Sequence, residues 1–225
     1  MTLTLADLHG LPLLGGLDDT KKQALLNQLN VRTYKRNEAV VQKGQPSSEL
    51  FFLLNGRLKV VDYAPSGREV GFVFIESGSH FGELALIDGK PRSASIVATE
   101  KSTVAMLTKQ HARTLMYSEP SVSEKLLKQL ANIIRQNNEH MVMLGNTSAP
   151  TRVNILLLKY ASEVNGQLVI EKPPTQSEMA IMTNTTRETV SRTLSQLIEQ
   201  GVIEKQGKKL TILEPDALEE MVLDC

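Results

Sequence analysis

Apolar positions change their period several times along the chain. Residues 18–29, DDTKKQALLNQL, predict a short helix capped by Asp18 or Asp19, with Ala24, Leu25, Leu26 and Leu29 as its buried stripe. From about residue 31 to 108, short β-rich runs take over: EAVVQ, ELFFLLNG, RLKVVDY, EVGFVFI, SASIVA and STVAMLT. Glycines at 44, 56, 67, 78 and 89 punctuate them, about eleven residues apart. Turn signals at that interval predict an antiparallel sandwich or barrel. Pro46, Pro65 and Pro91 fall near the turns, where a missing N–H does no harm.

Residues 109–144 return to a helical period, with Glu119-Pro120 as a start signal. Leu126, Leu130, Ile133, Asn137, His140 and Leu144 recur at spacings of four and three, a seam of about three heptads. Leu127, Ile134 and Met141 form a second stripe, expected to face the β-rich half. One helix with two apolar faces is most simply satisfied by a parallel homodimer, with Asn137 fixing register. The other solution is a long helix buried in a monomer. GNTSAP, 145–150, is a hinge-like break, and TRVNILLLKYASEV after it predicts an apolar helix running to Val164.

Two further helices lie in PPTQSEMAIMTNTTRETVSRTLSQLIEQ. Thr175 and Glu178 make a capping box opening the first; Thr-Asn-Thr is the turn. The second, from about Thr186 to Gln200, buries Val190, Leu194, Leu197 and Ile198 and presents Arg187, Glu188, Ser191, Arg192 and Ser195 on the opposite face. A major groove suits that face, since arginine forks onto guanine and glutamate accepts from cytosine. Glu188 lies three after Thr185, so a second capping box competes for its carboxylate. VIEKQGKKLTIL predicts a hairpin turning at Gln206-Gly207, with Lys205, Lys208 and Lys209 placed for phosphate contact. The DNA-facing set is Thr175, Gln176, Thr186, Arg187, Glu188, Ser191, Arg192 and Lys208.

Composition narrows the classes. Twenty-five basic and twenty-five acidic residues give zero formal charge, so a polyanion site must be local. The single cysteine, Cys225, excludes a disulfide framework, a zinc ribbon and a cysteine-ligated iron–sulfur cluster. No metal and no haem are expected. MTLTLADLHGLPLL lacks a basic leader, and no run reaches the roughly 18 apolar residues of a span. A cytoplasmic protein is expected. The four histidines are scattered and no nucleophile–base set stands out, so an enzyme is not expected.

Residues 81–94, FGELALIDGKPRSA, enclose an acid and a base within apolar packing. Gly82 lets backbone approach a ligand, and ELAL can open a helical turn with exposed N–H groups. Arg92 supplies a planar fork for phosphate oxygens and Ser93 a hydroxyl. Glu83 repels phosphate but suits a ribose hydroxyl. A cyclic nucleotide presents both compactly. An arginine whose partner is a ligand phosphate is expected to be dispensable for folding.

These two motifs, FGELALIDGKPRSA and RETVSR at 187–192, resemble those of the cAMP receptor protein and FNR superfamily of bacterial transcription regulators. The resemblance spans nearly the whole chain. It implies an α+β protein: an N-terminal β-roll (jelly-roll) cyclic-nucleotide-binding domain over 1–117, a long dimerisation helix over 118–145, and a C-terminal winged helix-turn-helix over 146–225. It implies that Gly82, Glu83, Arg92 and Ser93, with the Leu84 and Ala85 backbone, bind ribose and cyclic phosphate. Asn137 and Asn138 take the place of adenine-contacting Thr and Ser, so cAMP is expected, with cGMP, cyclic di-GMP or no nucleotide as the alternatives. A palindromic duplex with a half-site resembling TGTGA and RNA polymerase are the implied partners.

Overall fold

The computed structural model describes residues 3–46, 48–63 and 69–223. Side chains are described for all of these except 63, 69–72, 139, 140 and 142–146. Pro65, Gly67 and Cys225, and the side chains of His140 and Leu144, therefore lie outside the described residues. The chain divides into two compact units, residues 1–134 and 135–225.

The first unit opens with α1 (Leu5–His9), a 3-10 turn (Pro12–Leu14) and α2 (Asp19–Leu26). Asp18 caps α2 by accepting from the Lys21 N–H. The helix stops before Leu29, which instead starts β1 (Leu29–Tyr34). Then follow β2 (Ala39–Val41), β3 (Glu49–Asn55), β4 (Arg57–Tyr63), β5 (Glu69–Glu76), β6 (His80–Phe81), α3 (Glu83–Ile87), β7 (Ser95–Ala98) and β8 (Ser102–Thr108). They form two antiparallel sheets, ordered β1-β8-β3-β6 and β2-β7-β4-β5.

ELFFLLN reads as a nearly unbroken apolar run because β3 is buried on both faces. Phe51 and Leu53 point between the sheets, with Tyr34, Leu58, Phe81, Ile96 and Val104. Leu50 and Phe52 point the other way, under a helical layer. That layer holds α1, α2, α4 (Lys109–Ser118) and the start of α5 (Pro120–Asn146), contributing Leu8, Leu25, Leu115, Val122 and Leu126.

Leu126 thus packs on the β-rich half rather than in an intermolecular seam. Leu127, Ile134 and Met141 are the exposed stripe, at 67, 61 and 63%. The two faces of α5 are the reverse of the sequence expectation at these positions. Leu126 and Leu127 sit about 100° apart on a helix, and packing from α2 and α4 selects the former.

His80 lies opposite Phe52 in the β3–β6 pairing, and its Nε2 is buried with no hydrogen-bond partner among the described residues. Burial alone pushes its pKa down from 6.5 to about 4. A depressed histidine contributes stability that is complete above its unfolded value and is lost as pH falls through its folded one. Between pH 7 and 4 that loss is about 3 kcal/mol. Chemical denaturation at the two pH values should show His80→Phe gaining on the parent by about that amount. An equal loss in both proteins would contradict the assignment.

The second unit contains α6 (Ala149–Tyr160), β9 (Ser162–Val164), β10 (Gln167–Ile170), α7 (Gln176–Met182), α8 (Arg187–Glu199), β11 (Ile203–Gln206), β12 (Lys209–Ile212) and α9 (Pro215–Leu223). Its sheet runs β11-β12-β10-β9. The expected helix to Val164 ends at Tyr160, because residues 162–170 form a hairpin turning on Asn165 and Gly166, both at positive φ. Val153, Leu157, Met179, Val190, Leu194 and Leu197 build its core. Ile198, expected in the buried stripe, is exposed, and Thr193 is buried instead, donating to the Thr189 carbonyl.

Candidate functional site

Gly82 ends β6 in the left-handed region, φ +90°, and is the N-cap of α3. A Cβ there would stand 2.5 Å from Arg92 Nη1 and 3.2 Å from the Glu49 carbonyl. Glycine is therefore required twice, for the turn and for the guanidinium beside it.

That guanidinium is the centre of the site. Arg92 is 6% exposed and Glu83 7%, which places both charges inside the roll as the motif predicts. Arg92 donates from Nη1 to the Gly82 carbonyl (2.9 Å) and from Nη2 to the Glu49 carbonyl (2.7 Å). Its carbon lies 5.0 Å from the centre of the Phe51 ring, which stacks on Phe81 at 4.9 Å. Nη2 is also 3.7 Å from the Glu49 carboxylate. Burial pulls the guanidinium below its ordinary pKa, with the Glu49 and Glu83 carboxylates opposing. Two strong donors of Arg92 thus go to main-chain carbonyls of its own domain. The expectation that Arg92 is dispensable for folding is corrected accordingly: without it, two half-buried main-chain carbonyls each lose a charge-assisted hydrogen bond.

Burial raises the Glu83 carboxyl above its ordinary range, against a bond from its own N–H and the nearby Arg92 charge. Ala85 is buried beside it, while Leu84 and Ser93 are exposed. Asn137 and Asn138 lie on α5 in the second unit, both exposed. Sequence reasoning missed Glu49 and Phe51, the wall against which Arg92 rests. Glu49 is 43 residues from Arg92, and no local motif ties them.

The second candidate surface is α8. Its cap is Thr186, not Thr185: the Thr186 hydroxyl accepts from the Thr189 N–H at 3.2 Å. Glu188 accordingly closes no capping box. Its own N–H, then the Thr186 hydroxyl, hold its carboxyl below the ordinary range. Arg187, Glu188 and Arg192 are exposed and Ser191 half-buried. Thr175 and Glu178 do form the expected box, at 2.7 and 3.3 Å, and Gln176 opens α7 beside them. Arg152 from α6 donates to the Thr183 and Asn184 carbonyls, at 2.7 and 3.2 Å, and so fixes the turn between α7 and α8. No sequence motif announced that brace.

The β11–β12 hairpin turns on Gly207 and Lys208, one residue later than expected. Lys205 and Lys208 are exposed there, while Lys209 is 3.4 Å from Glu171 and already has a carboxylate partner. Among the described residues, no three His, Cys, Asp or Glu side chains converge as metal ligands. No described helix is long and apolar enough to cross a membrane.

Two stretches of the chain match known domain families. Residues 31–119 match the family described as cyclic nucleotide-binding domain, and residues 151–221 match the Crp-like helix-turn-helix domain. The chain is 28% identical over 207 residues to the CRP-like cAMP-activated global transcriptional regulator of Mycobacterium tuberculosis, covering 90% of this chain and 92% of the relative. A CooA mutant from Carboxydothermus hydrogenoformans superposes with a TM-score of 0.79 at 19% identity, covering 99% of this chain and 97% of that one. The c-di-GMP responsive global regulator CLP of Xanthomonas campestris superposes with a TM-score of 0.68 at 19% identity, covering 87% and 99%. At those identities the two structures bear on the fold alone.

Proposed function

The chain belongs to the CRP/FNR superfamily of bacterial transcription regulators, and from that premise we propose that it is a homodimer switched by a cyclic nucleotide, cAMP in the first place. It is a transcription regulator with a cyclic nucleotide-binding domain and a helix-turn-helix domain. We read its working division as 1–117 for the ligand, 118–145 for dimerisation and 146–225 for DNA.

The observation that carries the ligand reading is the burial of Glu83 and Arg92 together at the Gly82 turn. Two opposite charges held out of water need a reason. Glu83 accepts from a ribose hydroxyl, and the Arg92 N–H groups not used by Gly82 and Glu49 take the cyclic phosphate. Ser93 adds a hydroxyl, and the Leu84 and Ala85 main chain assists. Asn137 and Asn138, exposed on α5, are assigned to the base. The exposed Leu127, Ile134 and Met141 stripe supports a helix pair as the dimer contact. Ligand shifts the protein only if it prefers one of two states. The favoured state sets two copies of α8 roughly 34 Å apart, one DNA turn, on a palindrome resembling TGTGA in each half. A cytoplasmic location and RNA polymerase as the protein partner complete the reading.

A second reading has one observation in its favour. Arg92 already has protein partners, as it would in a regulator that binds no nucleotide and uses the roll only for packing. Isothermal titration with cAMP, cGMP and cyclic di-GMP, with DNA affinity measured alongside, separates the two. Heat from one ligand and tighter DNA binding support the first; no heat from any supports the second.

On the DNA side, Arg187→Ala should cost about 1–3 kcal/mol and relax preference at one base pair. Binding measured across single-substitution operators checks it. A uniform loss on every sequence would assign Arg187 to phosphate instead.

A further inference from the structure

Arg92 faces one group that the site reading does not use. Glu49 lies at the start of β3, and its carboxylate stands 3.7 Å from Arg92 Nη2, on the nitrogen that also bonds the Glu49 carbonyl. Its side chain is 37% exposed, whereas that of Arg92 is 5% exposed. The Ser48 hydroxyl donates to the same carboxylate oxygen. The guanidinium is thus fixed by two carbonyls and the Phe51 ring, while the acid beside it can turn into water.

We propose that the Glu49 carboxylate is a resident competitor for the ligand phosphate at Arg92, and that it sets how tightly this protein holds a cyclic nucleotide. The inference rests on the reading of Arg92 as the phosphate fork. A phosphate arriving at Nη2 meets a second anion within a few ångströms. Either Glu49 swings outward or the two repel. Glu83 cannot play this part, being buried and turned onto its own N–H. The main-chain bond from Arg92 to residue 49 does not depend on the Glu49 side chain, so the charge can be removed without unseating the fork.

Glu49→Gln keeps size and acceptor oxygen while removing the charge. It should tighten the binding nucleotide by about three- to tenfold in low salt, and the gain should shrink as salt rises. Ser48→Ala, which frees the carboxylate to turn away, should move affinity the same way by less. The test is titration of the parent and both variants with cAMP, cGMP and cyclic di-GMP, each beside its phosphate-free nucleoside. A gain confined to the phosphate-bearing ligand upholds the proposal. Unchanged or weaker binding in Glu49→Gln overturns it and leaves the ligand reading standing. Equal gains for nucleotide and nucleoside also overturn it, since they report pocket shape rather than charge. No heat from any ligand in any of the three proteins removes the ligand reading and this proposal together.

Discussion

Arg92→Ala should both unfold more easily and lose its nucleotide. The side chain is 6% exposed and gives two charge-assisted hydrogen bonds to main-chain carbonyls. Bonds of that kind contribute about 1.5–3 kcal/mol each. Removing the fork takes a charge-assisted bond from each of the Gly82 and Glu49 carbonyls and opens a gap beside Phe51, so the first unit should lose about 3–5 kcal/mol. Thermal unfolding should fall by roughly 6–20 °C. Titration well below the new midpoint should show no heat with the nucleotide that the parent binds. Arg92→Lys separates the two effects: it keeps a positive charge but cannot span both carbonyls. It should recover part of the binding and little of the stability. A stable, fully folded Arg92→Ala protein would mean the two carbonyl bonds contribute nothing, and the account of the turn would fail.

Ile134→Asp should leave the protomer folded and abolish its pairing. Ile134 is 61% exposed on α5, between Leu127 and Met141 on the same stripe. In the proposed parallel pair each such residue meets its own copy. Aspartate there sets two carboxylates opposite one another in an apolar contact, at a cost well beyond what a short seam supplies. Sedimentation should report a monomer with unchanged circular dichroism. One recognition helix per molecule then replaces two, and operator affinity should fall by about 10²–10⁴. A dimer persisting in the variant would move the interface off this stripe. Changing Leu126, which lies in the helical layer of the first unit, should instead damage folding.

What could be read from the chain was local. The turn at FGELALIDGKPRSA, the Thr175–Glu178 box and the exposed Arg187, Glu188 and Arg192 of α8 each depend on residues a few positions apart, and each appears where expected. The family resemblance rested on those same stretches. Two misreadings had their signal in plain view. Asn165-Gly166 is a hairpin dipeptide, but the apolar run before it suggested helix. Leu29 fits the helical stripe of α2 equally well as the first residue of β1. Other features were not legible at all. Leu126 and Leu127 are neighbours with the same side chain, and only the elements packed on α5 decide which is covered. Glu49 carries no motif; its role follows from a strand laid beside a turn far along the chain.

The strand that bears Glu49 has a mechanical property as well. Phe51 and Phe52 are adjacent in sequence, yet one packs between the two sheets beside Arg92 and the other under the helical layer that includes Leu126 of α5. The partition between them is a single polypeptide thick, and protein interiors are too densely filled to absorb a displacement. A push delivered at Arg92 therefore has no cushion to dissipate in before it arrives beneath that helix.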